Sequence, residues 1–309
     1  MNPYLHIDRL EFILTDYCTG RCKHCSAAEM VNHPRKERYV PVAESIRAVH
    51  DLAGMFDMQS VMTFGGEPLL YPEVTCAIHR AATECGIPTR QLITNGFFSR
   101  DEGRIREVAQ ALAEAGVNNL LISVDGFHQE TIPLEVVRSF ALAVKAAGIE
   151  KVRFSPAWVV NESFDCPENT RTREVLAQLA DTGIPVGSGN DIFLAGNALE
   201  NLSHYYPAAS LNMADCCGSM PYTEPLTNKT SLSIEPDGRV TVCGGFVIGN
   251  VNTQSMADIV ESYDPFATEG MRAAAQGVPG LLALAEKRGI QVDRTQIYSV
   301  CDLCRLVNK

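Results

Sequence analysis

The chain has 309 residues, 46% hydrophobic and 20% charged, which suits a globular protein with a full core and a length for about two domains. Its formal net charge of −11 argues against broad electrostatic capture of nucleic acid or anionic membrane. No apolar run reaches the roughly 18 residues of a membrane-spanning helix, and residues 1–6 lack the basic-then-apolar order of a signal peptide. Eleven cysteines without an export signal read as reduced thiols and metal ligands rather than a disulfide framework, so a cytoplasmic, oxygen-sensitive protein is expected.

Residues 10–14, Leu-Glu-Phe-Ile-Leu, are a short apolar run expected as the first strand. Directly after it come Cys18, Cys22 and Cys25, at the spacing C-x3-C-x2-C. Three thiolates this close can grip a small iron–sulfur cluster, and three ligands on a four-iron cube leave one iron open. A zinc ion would want a fourth Cys or His, and His24, next to Cys25, is poorly placed to close a tetrahedron. A polar connection over 26–41 precedes an amphipathic helix in which Val42, Ile46, Val49, Leu52 and Phe56 recur at helical steps. The second strand, 60–64, ends in Gly65-Gly66-Glu67-Pro68; the glycines let backbone approach a ligand, and the carboxylate can accept hydrogen bonds from an ammonium group.

Alternation continues: a helix over 73–85, a strand over 89–93, a helix over 104–115, a strand over 119–124, a helix over 134–147, a fifth strand over 151–158, a helix over 168–181 and a sixth strand over 185–191. Repeated βα units predict an α/β fold with a parallel sheet. Polar motifs fall at the C-terminal ends of successive strands, where βα barrels build their sites, so the cysteine loop, 65–68, 94–96 and 123–126 are expected around one mouth. After residue 195 the pattern changes. Runs at 230–235 and 239–243 flank Pro236-Asp237-Gly238, a hairpin signal, and a short helix is expected near 255–262. Cys217, Cys243, Cys301 and Cys304 can form a four-thiolate site; from the residues alone zinc and a 4Fe–4S cluster both fit.

The cysteine triplet after a first strand, followed by Gly-Gly-Glu-Pro after the second, resembles the radical S-adenosylmethionine (radical SAM) superfamily. The resemblance implies a partial (βα)6 TIM-like barrel over 1–195, with Cys18, Cys22 and Cys25 on a 4Fe–4S cluster whose fourth iron is chelated by the cofactor's methionine. It gives the methionine amine to Gly65, Gly66, Glu67 and Pro68, and the ribose or carboxylate to Asn95, Ser123, Asp125 and Arg153. His24 stands where the family usually has an aromatic residue whose backbone faces the adenine. Residues 216–309 resemble the Twitch domain, the shortened relative of SPASM, over a 196–309 unit of β-hairpin plus helix. This implies one auxiliary cluster on Cys217, Cys243, Cys301 and Cys304, hence two 4Fe–4S clusters in all, with Cys216 as the rival of Cys217. The implied activity is reductive cleavage of S-adenosylmethionine to a 5′-deoxyadenosyl radical that takes a hydrogen from the substrate, fed by an electron donor such as flavodoxin or ferredoxin.

Twitch and SPASM relatives often modify ribosomally made peptides by crosslinks, thioethers or inverted centres, and a peptide is the expected substrate. Against it, the nine residues ahead of the first strand leave no room for a winged-helix leader-binding domain. The alternative is oxidation of a small molecule such as an amino-sugar, and a third reading is a non-catalytic, metal-stabilised binding protein. No nucleic-acid or membrane partner is expected. Cys166 and Cys216 are candidate hydrogen donors to a substrate radical, against plain loop cysteines. Cys76, Cys85 and Trp158 read as packing residues, and His128 as a packing or surface histidine rather than a base.

Overall fold

The computed structural model describes residues 2–27, 38–207, 211–243 and 245–308. β1 (Leu5–Ile13) starts ahead of the expected 10–14. Leu5 and Ile7 are buried, but the alternation slips before Leu10 and Phe12, where pairing with a neighbour shifts register, and this slip hides the first half of the strand from a period-two reading. α1 (Val42–Met55), β2 (Ser60–Phe64), α2 (Pro72–Glu84), β3 (Thr89–Thr94), α3 (Glu102–Glu114), β4 (Asn119–Ser123) and α4 (Leu134–Ala146) follow the expected alternation. Asp101 caps α3 by accepting from the Arg104 amide, and Gly86, Gly116 and Gly148 turn left-handed just beyond α2, α3 and α4, as helix stops do.

The fifth strand is shorter than expected. β5 (Lys151–Ser155) stops before Pro156, which has no N–H to give a ladder, and β6 (Ala157–Trp158) turns away. After α5 (Pro167–Ala177), the expected sixth strand shrinks to one bridge, Val186 to Phe154, and to β7 (Asn190–Asp191), which pairs with β6 in a separate two-stranded sheet. Gly187 and Gly189 explain this: a Cβ at Gly189 would collide with the Pro156 carbonyl, and glycine weakens strands.

α6 (Asn197–Leu202) leads to β8 (Lys229–Ile234), β9 (Arg239–Cys243) and β10 (Phe246–Asn250), then α7 (Met256–Glu261), α8 (Glu269–Ala275), α9 (Gly277–Lys287) and α10 (Val300–Val307). β8 joins the outer side of β1 in parallel, giving one sheet in the order β10-β9-β8-β1-β2-β3-β4-β5. Six neighbouring strands, β8 and β1 to β5, are therefore parallel, the sixth coming from the C-terminal region. One apolar core runs from Leu10, Val49, Leu52 and Ile78 through Leu232 and Ile234 to Ile259, Leu281 and Leu303. A second core lies among β3 to β5, α3 and α4 around Leu112, Ile122 and Phe140.

Candidate active site and auxiliary metal centre

The cysteine loop leaves the C-terminal end of β1 and is strapped to the turn after β2. Leu14 N–H donates to Phe64 O (2.7 Å), Gly66 N–H to Thr15 O (2.8 Å) and Glu67 N–H to Tyr17 O (2.8 Å). Strand-like pairing thus carries the Gly-Gly-Glu turn flush against the approach to Cys18. A Cβ at Gly66 would collide with the Tyr17 carbonyl, and Gly65 has φ of 120°, so this contact requires glycine at both places. Within the loop, Gly20 N–H donates to Cys18 Sγ at 3.3 Å, and a Cβ at Gly20 would stand 3.3 Å from Cys22 Sγ and 3.7 Å from Cys18 Sγ. The first residue of α6 clamps the other side: Asn197 N–H donates to Cys25 O (3.0 Å) and its Nδ2 to Cys22 O (3.1 Å).

The carboxylates of this mouth point inward. Glu67 is fully buried; its Oε1 accepts from Leu69 N–H (2.9 Å) and Thr94 Oγ1 (2.6 Å), and its Oε2 from Asn95 N–H (2.8 Å). Three internal donors hold its side chain, Pro68 is buried behind it, and Gly65 and Gly66 are half-buried. Asp125 is also fully buried: Oδ1 accepts from the amides of Phe127 (3.0 Å) and His128 (2.8 Å), and Oδ2 from Ala157 N–H (3.1 Å) and His128 Nδ1 (2.8 Å). It braces the loop that follows β4. Arg153 points to the opposite end of the sheet, where it donates to Asn119 Oδ1 at the start of β4 (3.0 Å). Ser123 ends β4 opposite Ser155, half-buried at the mouth. Asn95 is beside the loop, its Nδ2 3.5 Å from Cys18 Sγ and 3.2 Å from Thr19 Oγ1.

His24 is stacked against Phe127 with ring centroids 4.9 Å apart, and its other neighbour is His128, also at 4.9 Å. Burial pushes the His24 imidazole down to about 4, which keeps it neutral. For His128, burial is outweighed by the Asp125 carboxylate, which holds the imidazole well above its ordinary value. Among the described residues, only Cys22, His24 and His128 bring three potential ligand atoms within 4.8 Å of one another. The three cysteine sulfurs are spread more widely than one zinc ion, about 2.3 Å from each sulfur, would demand.

The second cysteine set gathers at the other end of the sheet. β9 runs antiparallel to β8, so Cys243, its last residue, falls beside the start of β8. Cys301 and Cys304 lie one turn apart on α10, whose N-cap Ser299 accepts from Asp302 N–H. Burial lifts the thiols of Cys217, Cys301 (to about 11) and Cys304 (to about 12), and each is raised further by others of the set. Cys216 is exposed and turned to Ser219, its Sγ 3.4 Å from that hydroxyl. Cys217, Cys301 and Cys304 pack against the same apolar core, and Cys216 does not. Cys166 is buried, caps α5 by accepting from Asn169 N–H (3.5 Å), and packs with Phe127, Val159 and Ile192.

A family model for the radical SAM superfamily matches residues 12–155, and one for the SPASM iron–sulfur cluster-binding domain matches residues 227–305. The chain belongs to the radical SAM superfamily. Two curated relatives are a GTP 3',8-cyclase of Lactiplantibacillus plantarum, 31% identical over 120 residues, which cover 39% of this chain and 34% of that one, and GTP 3',8-cyclase 2 of Pseudomonas aeruginosa, 28% identical over 156 residues, covering 48% and 45%. The radical SAM chain thus spans less than half the length of these relatives. The solved structure of His6-tagged anSMEcpe with bound AdoMet matches 84% of this chain and 78% of that one, with TM-score 0.53 and 16% identity, a likeness of fold.

The cofactors of this radical SAM enzyme are 4Fe–4S clusters and S-adenosylmethionine. The donor sets fit them: three cysteines in one loop, two of them beside Gly20, at one end, and at the other three cysteines against one core with Cys243 at the end of β9. Asn197 is a site residue that the motifs did not single out, and His128, read as a packing or surface histidine, is paired with Asp125. Asp125-x-x-His128 carried a signal, since an aspartate two and three residues before free amides makes a capping turn. No helix among the described residues is long and apolar enough to cross a membrane.

Proposed function

We propose that this radical SAM enzyme carries out a net two-electron oxidation of a ribosomally made peptide, forming a crosslink or thioether. The observation that carries the reading is the packing of Cys217, Cys301 and Cys304 against one apolar core, with Cys243 ending the adjoining β9; four such thiols would leave a four-iron cube no position for substrate and suit it to accepting an electron. When bound, the cofactors supply a 5′-deoxyadenosyl radical for hydrogen abstraction at one end and an electron acceptor at the other. The chain's own part is placement. The half-buried Gly65–Gly66 turn is paired to the approach of the cysteine loop through Gly66 N–H to Thr15 O, and Asn197 fixes the carbonyls of Cys22 and Cys25. The two cysteine sets lie at opposite ends of β8 and β1, separated by about one strand length, roughly 20 Å for six residues.

Net inversion of a centre needs a hydrogen donor, and the capping role of Cys166 and the outward turn of Cys216 weigh against it. The SPASM match over residues 227–305 supports a peptide over a small molecule such as an amino-sugar. The activity named for the curated relatives is not carried over, since the match spans less than half of each. An electron donor such as flavodoxin or ferredoxin completes the proposal.

The test is anaerobically reconstituted enzyme with S-adenosylmethionine, a reductant, and deuterated peptide or deuterated amino-sugar. Deuterium in 5′-deoxyadenosine from the peptide supports the proposal. Transfer from the sugar alone replaces the peptide with the small molecule. Protein with a full iron load that never cleaves S-adenosylmethionine overturns the radical reading.

A further inference from the structure

Lys229 opens β8 and is almost fully buried, 3% exposed. A buried ammonium demands a reason, because desolvating a charge is costly unless it is compensated. Its partner is Glu224, at 3.2 Å from Nζ to Oε2. The Glu224 carboxylate is held in turn by Thr230 N–H (2.8 Å), Thr230 Oγ1 (2.5 Å), Ser231 N–H (3.3 Å) and Ser231 Oγ (3.4 Å). The backbone carbonyl of the same Glu224 accepts from Cys217 Sγ at 3.6 Å. Cys243, at the end of antiparallel β9, lies beside the start of β8. The ion pair therefore sits against the four-cysteine set, away from the mouth.

We infer that Lys229 and Glu224 set the redox potential of the auxiliary cluster, Lys229 as the buried cation that favours the reduced state and Glu224 as the anion that tempers it. The inference rests on the reading of Cys217, Cys243, Cys301 and Cys304 as the cluster ligands. Four thiolates with a cube make a centre that gains negative charge on reduction, and burial and nearby charge govern its potential.

The test is an EPR-monitored redox titration of the reconstituted full chain carrying Cys18→Ala, Cys22→Ala and Cys25→Ala, so that only the auxiliary cluster is seen. Lys229→Met lowers the reduced-to-oxidised ratio at a fixed potential about tenfold, a midpoint shift of about −59 mV for one electron. Lys229→Arg stays close to the parent. Glu224→Gln shifts the midpoint in the opposite, positive direction. A bracing role alone would reduce cluster loading without moving the midpoint of the clusters that form, and an unmoved midpoint in Lys229→Met overturns the inference. If Lys229→Met does not fold, Glu224→Gln decides: a positive shift supports the assignment and none overturns it. A parent that binds no iron overturns the ligand reading, and the inference with it.

Discussion

The Asn95 amide donates to Glu67 Oε2 at 2.8 Å, tying the turn after β2 to the end of β3. The other oxygen takes Thr94 and Leu69, so one buried carboxylate holds two strand ends and the turn that follows them. Glu67→Gln can keep the two donors on one oxygen but must set its NH2 against the Asn95 N–H. An unpaired buried donor costs about 1–3 kcal/mol, and the thermal midpoint of the metal-free protein should fall accordingly. Burial lifts the Glu67 carboxyl to about 7, against the lowering influence of Thr94, Leu69 and Asn95. The folded value lies above the unfolded one, so the native state holds this proton more tightly. Its contribution to stability is full below the ordinary carboxylate range and is lost as pH rises through about 7. Glutamine does not titrate, so the gap between the two proteins should be widest at about pH 4, below the ordinary carboxylate range, and should narrow as pH rises through about 7. Melting both proteins across that range checks the trend; a gap that widens with pH would refute the assignment.

Gly66→Ala tests the strap on the cysteine loop. The added Cβ meets the Tyr17 carbonyl, a backbone atom that cannot rotate away, so the ladder of Gly66 to Thr15 and Glu67 to Tyr17 must open. The expected result is loss of S-adenosylmethionine cleavage with iron still bound at the C-terminal cysteines, seen as roughly half the iron of the parent. Full cleavage activity in this variant would show that the strap is not needed.

Much of the mouth was legible because strand ends carry their own punctuation. Gly65-Gly66, Asn95-Gly96 and Asp125-Gly126 each end an apolar run, and helices follow with caps such as Asp101. The direction of a carboxylate was not legible. Glu67 turns inward because Thr94 and Asn95, far along the chain, supply donors, and Arg153 turns away because Asn119 offers an acceptor at the other end of the sheet. α8 and α9 went unread for a different reason. Gly277, Pro279 and Gly280 look like breakers, yet they fall in the first turn of α9, where proline is tolerated, and Gly277 takes a left-handed φ of 73° against the Asp215 carbonyl. β8 was expected in a separate hairpin, and nothing local says that it would extend the sheet beside β1.

Cys166→Ser should leave product formation unchanged. The sulfur caps α5 by accepting from Asn169 N–H, and serine is a stronger cap of similar shape. A thermal midpoint equal to or above the parent, with full turnover in the labelled-substrate assay, is the expected outcome. Retained folding with lost product would return Cys166 to the chemistry.

The vicinal pair gives the sharpest test of the auxiliary centre. Cys217 is partly buried, with its thiol raised by Cys243, whereas Cys216 is exposed and bonded to Ser219. Rotating the chain to exchange them would pull Cys216 away from the α9 start, where the Asp215 carbonyl accepts from Val278 N–H at 3.0 Å. Cys217→Ala should therefore lose the auxiliary cluster, leaving about four of eight irons per chain, while Cys216→Ala should keep all of them. Because metal binding must remove protons from thiols that burial has lifted to about 11 and 12 at Cys301 and Cys304, cluster uptake should also weaken as the reconstitution pH is lowered. Iron and sulfide counts on the two variants and the parent, at two pH values, decide both points. Equal iron in Cys217→Ala and the parent would move the fourth ligand elsewhere, and loss in Cys216→Ala would place it on the neighbouring residue.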